Sequence, residues 1–506
     1  MNESVQRKSG AILSYVSIIV STLVQLLYTP FLTGMLGQSE YGLYSLIASV
    51  IGYLTVLDLG FGNAIIVYTA KYRANNEYEK EKKMQGMFKI IFYIIGALIA
   101  LIGVGLYFSV DTFFGKTMTD VELEKAKIMM LILAFNMVIT FAFNIYSSII
   151  NAYERFTFQK VMSILNTILK PVLMIPLLFL GFKSITMCLV ITFVNILVVL
   201  SNYIYCKKKM NVTVKFQGFD KVLFIEMFSY SFFIFLGVVV DKINWSVDQF
   251  ILGIVSGTVA VSIYSVASQL NHLFVNLSTA ISGVLLPKMS QMVAKQASAS
   301  ELTDEMIKVG RIQWLIIFLM ASGFVLVGQE FIAFWVGNEY RESYYVALLL
   351  ILPVCIPLIQ NLAISIMQAM NKHKFRATVT SIMAIINIAL SYFLAKSYGV
   401  IGTAVGTAIS LIACNVIIMN IYYSKALKLE IKRFWKNIIK MSVPFCIPLV
   451  LIVIFMHFIN LSGIVAVIIY GSLYTLMYSL TAYYLSMNEY EKNLVNKVLN
   501  KLHIKA

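Results

Sequence analysis

The sequence predicts an all-α polytopic membrane protein of about fourteen transmembrane helices: two pseudo-symmetric six-helix bundles followed by two extra C-terminal helices. Three observations carry that expectation. The 506 residues are 59% hydrophobic and 13% charged, where a globular domain has about 45–50% apolar and 25% charged residues. Apolar runs of about twenty residues, one bilayer crossing each, recur along the whole length. The chain also repeats itself at an offset near 219 residues. Together these exclude a soluble enzyme, a disordered chain and a disulfide scaffold.

Taken in order, spans fall near 11–36, 41–70, 90–110, 126–150, 161–182, 184–206, 228–254, 259–287, 313–336, 345–370, 377–396, 400–424, 441–460 and 464–486. The first follows a polar start, MNESVQRKSG, and its apolar run of about twenty-five residues is too long for a signal-peptide core. It is expected to be a retained span. Connections at 37–40, 181–184, 255–258, 396–399 and 460–463 are short and nearly uncharged; those at 71–89, 207–227, 288–312 and 425–440 are longer and basic. With the N-terminus cytosolic, 32 of the 40 Lys and Arg residues fall on the cytosolic side. The outer loops hold only Lys116, Lys125, Lys127, Lys183, Arg341 and Lys396, the asymmetry of the positive-inside rule. The formal charge of +16 is therefore an orientation signal suited to anionic lipids of the cytosolic leaflet, with no nucleic acid expected as a partner.

The repeat pairs FLTGMLGQSEYGLYSLIAS (31–49) with FILGIVSGTVAVSIYSVAS (250–268), and INAYERFTFQK (150–160) with MQAMNKHKFRA (367–377) at offset 217. An even number of spans per half gives both halves the same topology, a parallel repeat of the kind transporters use to handle substrate between halves. The expected organisation is an N-terminal bundle (1–206), a cytosolic linker (207–227), a C-terminal bundle (228–424), a cytosolic amphipathic linker (425–440), spans 13 and 14 (441–486) and a basic cytosolic tail (487–506).

Ionisable groups inside spans cost at least a few kcal/mol each and usually face a water-filled cavity, so polar residues that share a lumen should line up at helical spacing. In span 1, Ser14, Ser17, Ser21, Gln25 and Tyr28 share one helical face; in span 8, Ser262, Ser265, Gln269, His272, Asn276 and Thr279 do the same. Span 7 carries Asp241, Lys242, Asn244, Trp245, Asp248 and Gln249 over about 160° of its circumference. These faces are expected to line an aqueous lumen, against the plainer reading of interhelical packing glue. Span 2 adds Asp58, as a lumen group or as the cap of a break at LGFGN; Lys170 precedes Pro171 in span 5 and either bonds freed carbonyls, snorkels or meets an anionic substrate. Pro30 in span 1 is the candidate gate kink. Trp314 and Trp335 are expected as interface anchors of span 9, and ALKLEIKRFWKN (426–437) as an interfacial amphipathic segment. The five cysteines, scattered and without C-x-x-C spacing, are expected to be buried small hydrophobes, with no metal site.

No Walker A, dinucleotide fingerprint or H-E-x-x-H occurs. The largest outer loop, near 111–125, holds neither His nor Arg for catalysis, so an enzyme is not expected. A channel is disfavoured by the two-half repeat.

The segment YTPFLTGMLGQSEYGLYSLIASVIGYLTVLDLGFGNAIIVYTAKYRA (28–74), with QAMNKHKFRA and GVIGTAVGTAIS later in the chain, resembles the Wzx-type polysaccharide flippases. These belong to the multidrug/oligosaccharidyl-lipid/polysaccharide (MOP) exporter superfamily, as do MurJ-type lipid flippases. The resemblance implies two six-helix bundles, alternating access, and translocation of polyprenyl-diphosphate-linked oligosaccharide from the cytosolic to the outer leaflet of a bacterial cytoplasmic membrane. Spans 13 and 14 would form a groove for the lipid tail. It implies cation coupling by Na+ or H+ with no other cofactor, for which Asp241, Asp248 and Asn387 are the positional candidates. Other polysaccharide-assembly membrane proteins are implied as partners. The departure is charge: only Lys170 and Lys242 lie at membrane depth, opposed by Asp58, Asp241 and Asp248. Reception of the headgroup would then fall to Arg7, Lys8, Lys71, Arg73, Arg155 and Lys288 at the cytosolic mouth. The alternative on the same fold is an ion-coupled exporter of drugs or toxins.

Overall fold

A computed structural model describes residues 3–282, 286–370 and 372–501. Its helices, in chain order, are α1 (Glu3–Gly52), α2 (Phe61–Ala74), α3 (Tyr78–Phe114), α4 (Asp120–Ala152), α5 (Phe156–Phe179), α6 (Ser184–Ile204), α7 (Lys221–Val255), α8 (Gly257–Ser282) and α9 (Leu286–Ala294). They continue with α10 (Ala299–Val336), α11 (Ser343–Ile359), α12 (Asn361–Ala369), α13 (His373–Leu411), α14 (Met419–Lys425), α15 (Ile431–Ser442), α16 (Cys446–Phe458), α17 (Gly463–Thr481) and α18 (Glu489–Lys501).

Among the described residues ten helical runs are long and apolar enough to cross a bilayer, or eleven with α11 and α12, bent by 46°, taken as one span. Two of the runs, Ile12–Ala74 and Lys374–Lys425, hold 63 and 52 residues, far more than the roughly twenty one crossing needs. Each breaks at a glycine in a conformation open to few other residues: Gly37 at φ 77° and Gly399 at φ 55°. Beyond Gly399 the chain doubles back, because a Cβ on Gly406 would stand 2.8 Å from the backbone nitrogen of Ser391. The 26 residues of α8 fall outside the apolar set because its Ser, Gln, His and Asn residues lower its mean hydropathy. Two doubled runs, the bent pair and α8 together account for the fourteen spans.

The chain divides into two compact units, Met1–Ser265 and Val266–Ala506. In the first, the short connections meet at one end. Ser39 donates to Glu122 at 2.6 Å, Thr258 to the same carboxylate at 2.8 Å, and Thr117 to the Gly253 carbonyl at 2.6 Å. Glu40 accepts from both Lys125 and Ser184. The basic connections meet at the other end, where Arg73 lies 3.9 Å from Glu81 and Lys83 bridges to Asp220 at 3.2 Å. Asp220 also caps α7 by accepting from the Leu223 N–H at 3.1 Å, and this backbone bond with the Lys83 bond holds its carboxyl below the usual range. Apolar side chains at 12, 15, 16, 19, 23 and 27 of α1 are exposed along one stripe, whereas on the polar face Ser14, Ser17, Gln25 and Tyr28 are half-buried and Ser21 is exposed. The polar face of span 1 therefore lies opposite this apolar stripe.

The second unit repeats the pattern of ends. Glu330 accepts from the Gly463 N–H at 2.7 Å and lies 3.6 Å from Arg341. At the other end Arg311 pairs with Glu491 at 2.6 Å, both buried, tying α18 to α10. Tyr470, Tyr474 and Tyr478 line the inner face of α17; Tyr474 bonds Ser322 at 2.6 Å and Tyr478 donates to the Leu315 carbonyl at 2.8 Å.

The internal repeat reappears as geometry. Phe158 stacks on Tyr205 at 3.9 Å, and Phe375 stacks on Tyr422 at 3.9 Å. Each pair joins a helix start to the end of the following hairpin, and partner by partner the two lie 217 residues apart, the offset read in the junction sequences.

Three expectations change. Trp335 is buried and stacked on Phe331 at 5.6 Å, so it packs inside the unit where an interface anchor was expected. Cys446 is exposed on the apolar face of α16, while the other four cysteines are buried. The amphipathic helix begins only at Ile431, after Lys428 adopts φ 57° and ends the preceding turn. Its inner face is Ile431, Phe434, Ile438 and Met441; Lys432, Lys436 and Lys440 point outward.

Candidate functional site

In the first unit the polar residues of spans 2, 4 and 7 fall into two groups. Asp58 ends a 3-10 turn over Tyr53–Asp58, after which Leu59 and Gly60 both take positive φ (51° and 75°) before α2 starts. Its carboxylate accepts from the Gly62 N–H at 3.3 Å and from the Asn144 amide at 2.9 Å. Asp58 thus closes the break at LGFGN and ties it to α4.

Asp248 is 1% exposed on α7 and accepts a hydrogen bond from the Tyr264 hydroxyl of α8. The next residue, Gln249, donates to Ser265 at 3.1 Å, and Ser49 donates to the Ser246 carbonyl at 3.3 Å. A carboxylate held this deep costs several kcal/mol of desolvation unless it is hydrogen-bonded or protonated. The Tyr264 hydroxyl supplies one such bond. Lys242 is half-buried, its ammonium 3.7 Å from the place a Cβ on Gly52 would occupy. Trp245 is half-buried on the same helix, and the Asp241 side chain lies outside the described residues. Lys170 is half-buried on α5 and makes no hydrogen bond or ion pair among the described residues.

In the second unit Gln269 and His272 are half-buried and Asn276 is exposed, all on α8. The buried polar centre is elsewhere. The Ser278 hydroxyl donates to the Leu358 carbonyl at 2.9 Å and accepts from Asn361 at 3.0 Å and Gln313 at 3.3 Å. Neither Gln313 nor Asn361 was singled out from the sequence. Asn387 is 1% exposed and accepts from Ser391 at 3.0 Å and Thr407 at 3.2 Å, which joins the two arms of the Gly399 hairpin. Pro30 sits in α1 two turns before the break at Gly37, with the Thr33 hydroxyl donating to the Pro30 carbonyl at 3.1 Å.

The basic residues assigned to a cytosolic mouth separate. The side chains of Arg7 and Lys8 lie outside the described residues. Lys71 is exposed beside the Tyr68 ring at 5.5 Å, and Lys288 is exposed and paired with Glu305 at 2.5 Å. Arg73 and Arg155 alone come together, in one cavity of about 400 Å³ with Tyr153 and residues of the linker.

A family model described as "Polysaccharide biosynthesis protein" matches residues 8–293. The chain belongs to that family, within the MOP superfamily of Wzx-like flippases: a multi-pass membrane transporter of polysaccharide biosynthesis, not an enzyme. Among curated proteins it is 21% identical, over 80% of this chain and 94% of the relative, to a Shigella flexneri protein named "Putative O-antigen transporter". Among solved structures it resembles the lipid II flippase MurJ in an inward closed conformation, at TM-score 0.73 and 19% identity, covering 96% of this chain and 99% of that one. It also resembles an inward-facing MATE-family multidrug transporter of the MOP superfamily, at TM-score 0.67 and 13% identity, covering 84% and 99%. The all-helical MurJ and MATE fold is the one the chain adopts.

Proposed function

We propose that the protein carries a polyprenyl-diphosphate-linked oligosaccharide from the cytosolic to the outer leaflet of a bacterial cytoplasmic membrane, by alternating access between its two six-span halves. Family membership over residues 8–293 carries this reading. The near full-length relative named for O-antigen transport supports the glycan as substrate. Both termini are cytosolic, and the polar faces of spans 1, 7 and 8, with Gln25, Lys242, Trp245, Gln269, His272 and Asn276, line the path. Lys170 meets the anionic headgroup, and Asp58 holds the span 2 break against α4. Arg7, Lys8, Lys71, Arg73, Arg155 and Lys288 gather the headgroup on the cytosolic side. Pro30 lets the outer part of span 1 swing. Asp241 and Asp248, with Asn387, couple the cycle to H+ or Na+. Burial of Asp248 under Tyr264 supports it as a proton or sodium carrier, because a carboxylate there changes its environment whenever the α7–α8 contact opens.

A second reading, export of cationic drugs, is supported by the excess of carboxylates over lysines at membrane depth. One experiment separates them. Proteoliposomes carrying a fluorescent or isotope-labelled lipid-linked oligosaccharide are assayed for leaflet exchange, with and without an imposed ion gradient. Exchange accelerated by the protein and by the gradient is expected. No exchange, with ethidium efflux in the same vesicles, would replace the flippase reading by the exporter.

A further inference from the structure

The cavity that gathers Arg73 and Arg155 is lined also by Tyr78, Glu81, Lys82, Tyr153, Lys209 and the linker backbone to Thr213. Four cations thus face one carboxylate. Glu81 is already satisfied: it accepts from Tyr153 at 2.7 Å and Gln85 at 2.9 Å and lies 3.9 Å from Arg73, which itself stacks on the Tyr153 ring at 3.8 Å. Lys82 is bridged to Glu79 at 2.8 Å. Arg155 and Lys209 pair with no carboxylate among the described residues, and the buried Nε–H of Arg155 has no hydrogen-bond partner there. Leaving a buried guanidinium N–H unsatisfied costs free energy that an anion would recover.

The repeat sharpens the contrast. Lys372 stands 217 residues after Arg155, at the equivalent junction, and donates to the Ala426 carbonyl at 2.7 Å. The second half has closed this position with its own backbone; the first half leaves its cation facing the cavity. The linker wall is held close by design of sequence at one point: a Cβ on Gly86 would lie 2.1 Å from the Lys215 carbonyl oxygen, so only glycine lets the chain pass there.

We propose that this cavity is a binding site for a phosphate or diphosphate group, gripped by Arg155 of the bundle and Lys209 of the linker with Arg73 behind them. Guanidinium groups match phosphate oxygens in paired hydrogen bonds, and about 400 Å³ accommodates a diphosphate with part of an attached sugar or glycerol. A bound anion staples the linker to the bundle. The site shares Arg73 and Arg155 with the headgroup-gathering set and rests on that part of the proposed function, while its phosphate can belong to a lipid headgroup or to a soluble compound. Failure to bind either probe would remove the site and leave the leaflet-exchange assay as the separate test of transport.

The test uses the purified full chain in neutral detergent and equilibrium dialysis with labelled inorganic pyrophosphate at about 0.1 M salt, where screening still permits the contact. Saturable binding is expected, weakened about tenfold by Arg155→Gln and by Lys209→Ala and unchanged by Lys432→Ala on the outward face of α15. In a parallel arm, the chain is reconstituted with phosphatidylglycerol or phosphatidylcholine vesicles and the co-purified lipid is measured. Enrichment of phosphatidylglycerol that pyrophosphate displaces, lost in the same two variants, identifies a lipid headgroup; pyrophosphate binding without enrichment identifies a soluble source. Lys209 is exposed, so its variant keeps the test valid if Arg155→Gln disturbs folding, as read by size exclusion. Wild-type protein that takes up neither probe, or variants that bind both as wild type does, would overturn the site.

Discussion

At the residue scale the buried Asp248–Tyr264 contact separates coupling from packing. Replacing Asp248 by Asn keeps the size and the hydrogen-bond partner but removes the ionisable group. Transport is expected to fall at least about tenfold and to lose its response to the ion gradient, while membrane insertion and thermal stability are kept. Tyr264→Phe removes one hydrogen bond, worth about 1.5–3 kcal/mol where the partner is charged, and is expected to slow gradient-driven transport without abolishing it. The measurement is gradient-driven flipping in proteoliposomes across pH 5–9. Wild-type rates and unchanged gradient dependence in Asp248→Asn would remove Asp248 from the coupling path.

At the element scale two helical glycines stand in opposite surroundings, and only one of them holds a hairpin together. Gly406 is required by close packing: its Cβ would meet the Ser391 backbone and hydroxyl at 2.8–3.0 Å. Gly105 lies on an exposed helical face with nothing within 4 Å. Gly406→Ala is therefore expected to destabilise by about 1–3 kcal/mol through overpacking, and Gly105→Ala to be neutral or to stabilise by up to about 1 kcal/mol through helix propensity. Thermal unfolding in detergent reads both, and equal shifts of one sign would contradict the hairpin geometry. The elements themselves were largely legible in the sequence. Apolar runs located the spans, and the 217-residue offset of the junctions returns as the paired Phe–Tyr stacks. The Asp58 cap was legible as an option, because LGFGN signals a break but not which group closes it. What could not be read was convergence from distant positions. The phosphate cavity draws on residues 73, 81, 153, 155 and 209, and the Ser278 centre draws on 313 and 361. No spacing announces either, although the Lys207–Lys209 run beside a basic junction was a usable hint. Trp335 was misread because an aromatic at a span end marks an interface only when its ring is not needed to fill the bundle.

At the scale of the whole molecule the two ends of each unit differ in chemistry. In the first unit the connections around Ser39, Glu122, Lys183 and Thr258 meet at one end, and those around Arg73, Arg155, Lys209 and Asp220 at the other. In the second unit Glu330, Arg341 and Gly463 meet at one end, and Asp304, Lys372, Arg433 and Glu491 gather with the basic connections. The segregation follows the sequence count of Lys and Arg, and from the positive-inside rule the basic ends are expected on the cytosolic side. Because each half contains an even number of spans, the repeat is expected to be parallel, with equivalent ends of both halves on the same side. Single cysteines at exposed positions in a cysteine-free background test this directly. A membrane-impermeant maleimide added to intact cells is expected to label cysteine at Lys116 and at Asn338, and to reach cysteine at Lys80 and at Lys436 only after permeabilisation. Labelling of all four in the reverse sense would invert the protein and leave the fold untouched. Reversal in one half alone would make the repeat an inverted one, and would remove the parallel-repeat basis for placing the transport path between like-oriented bundles.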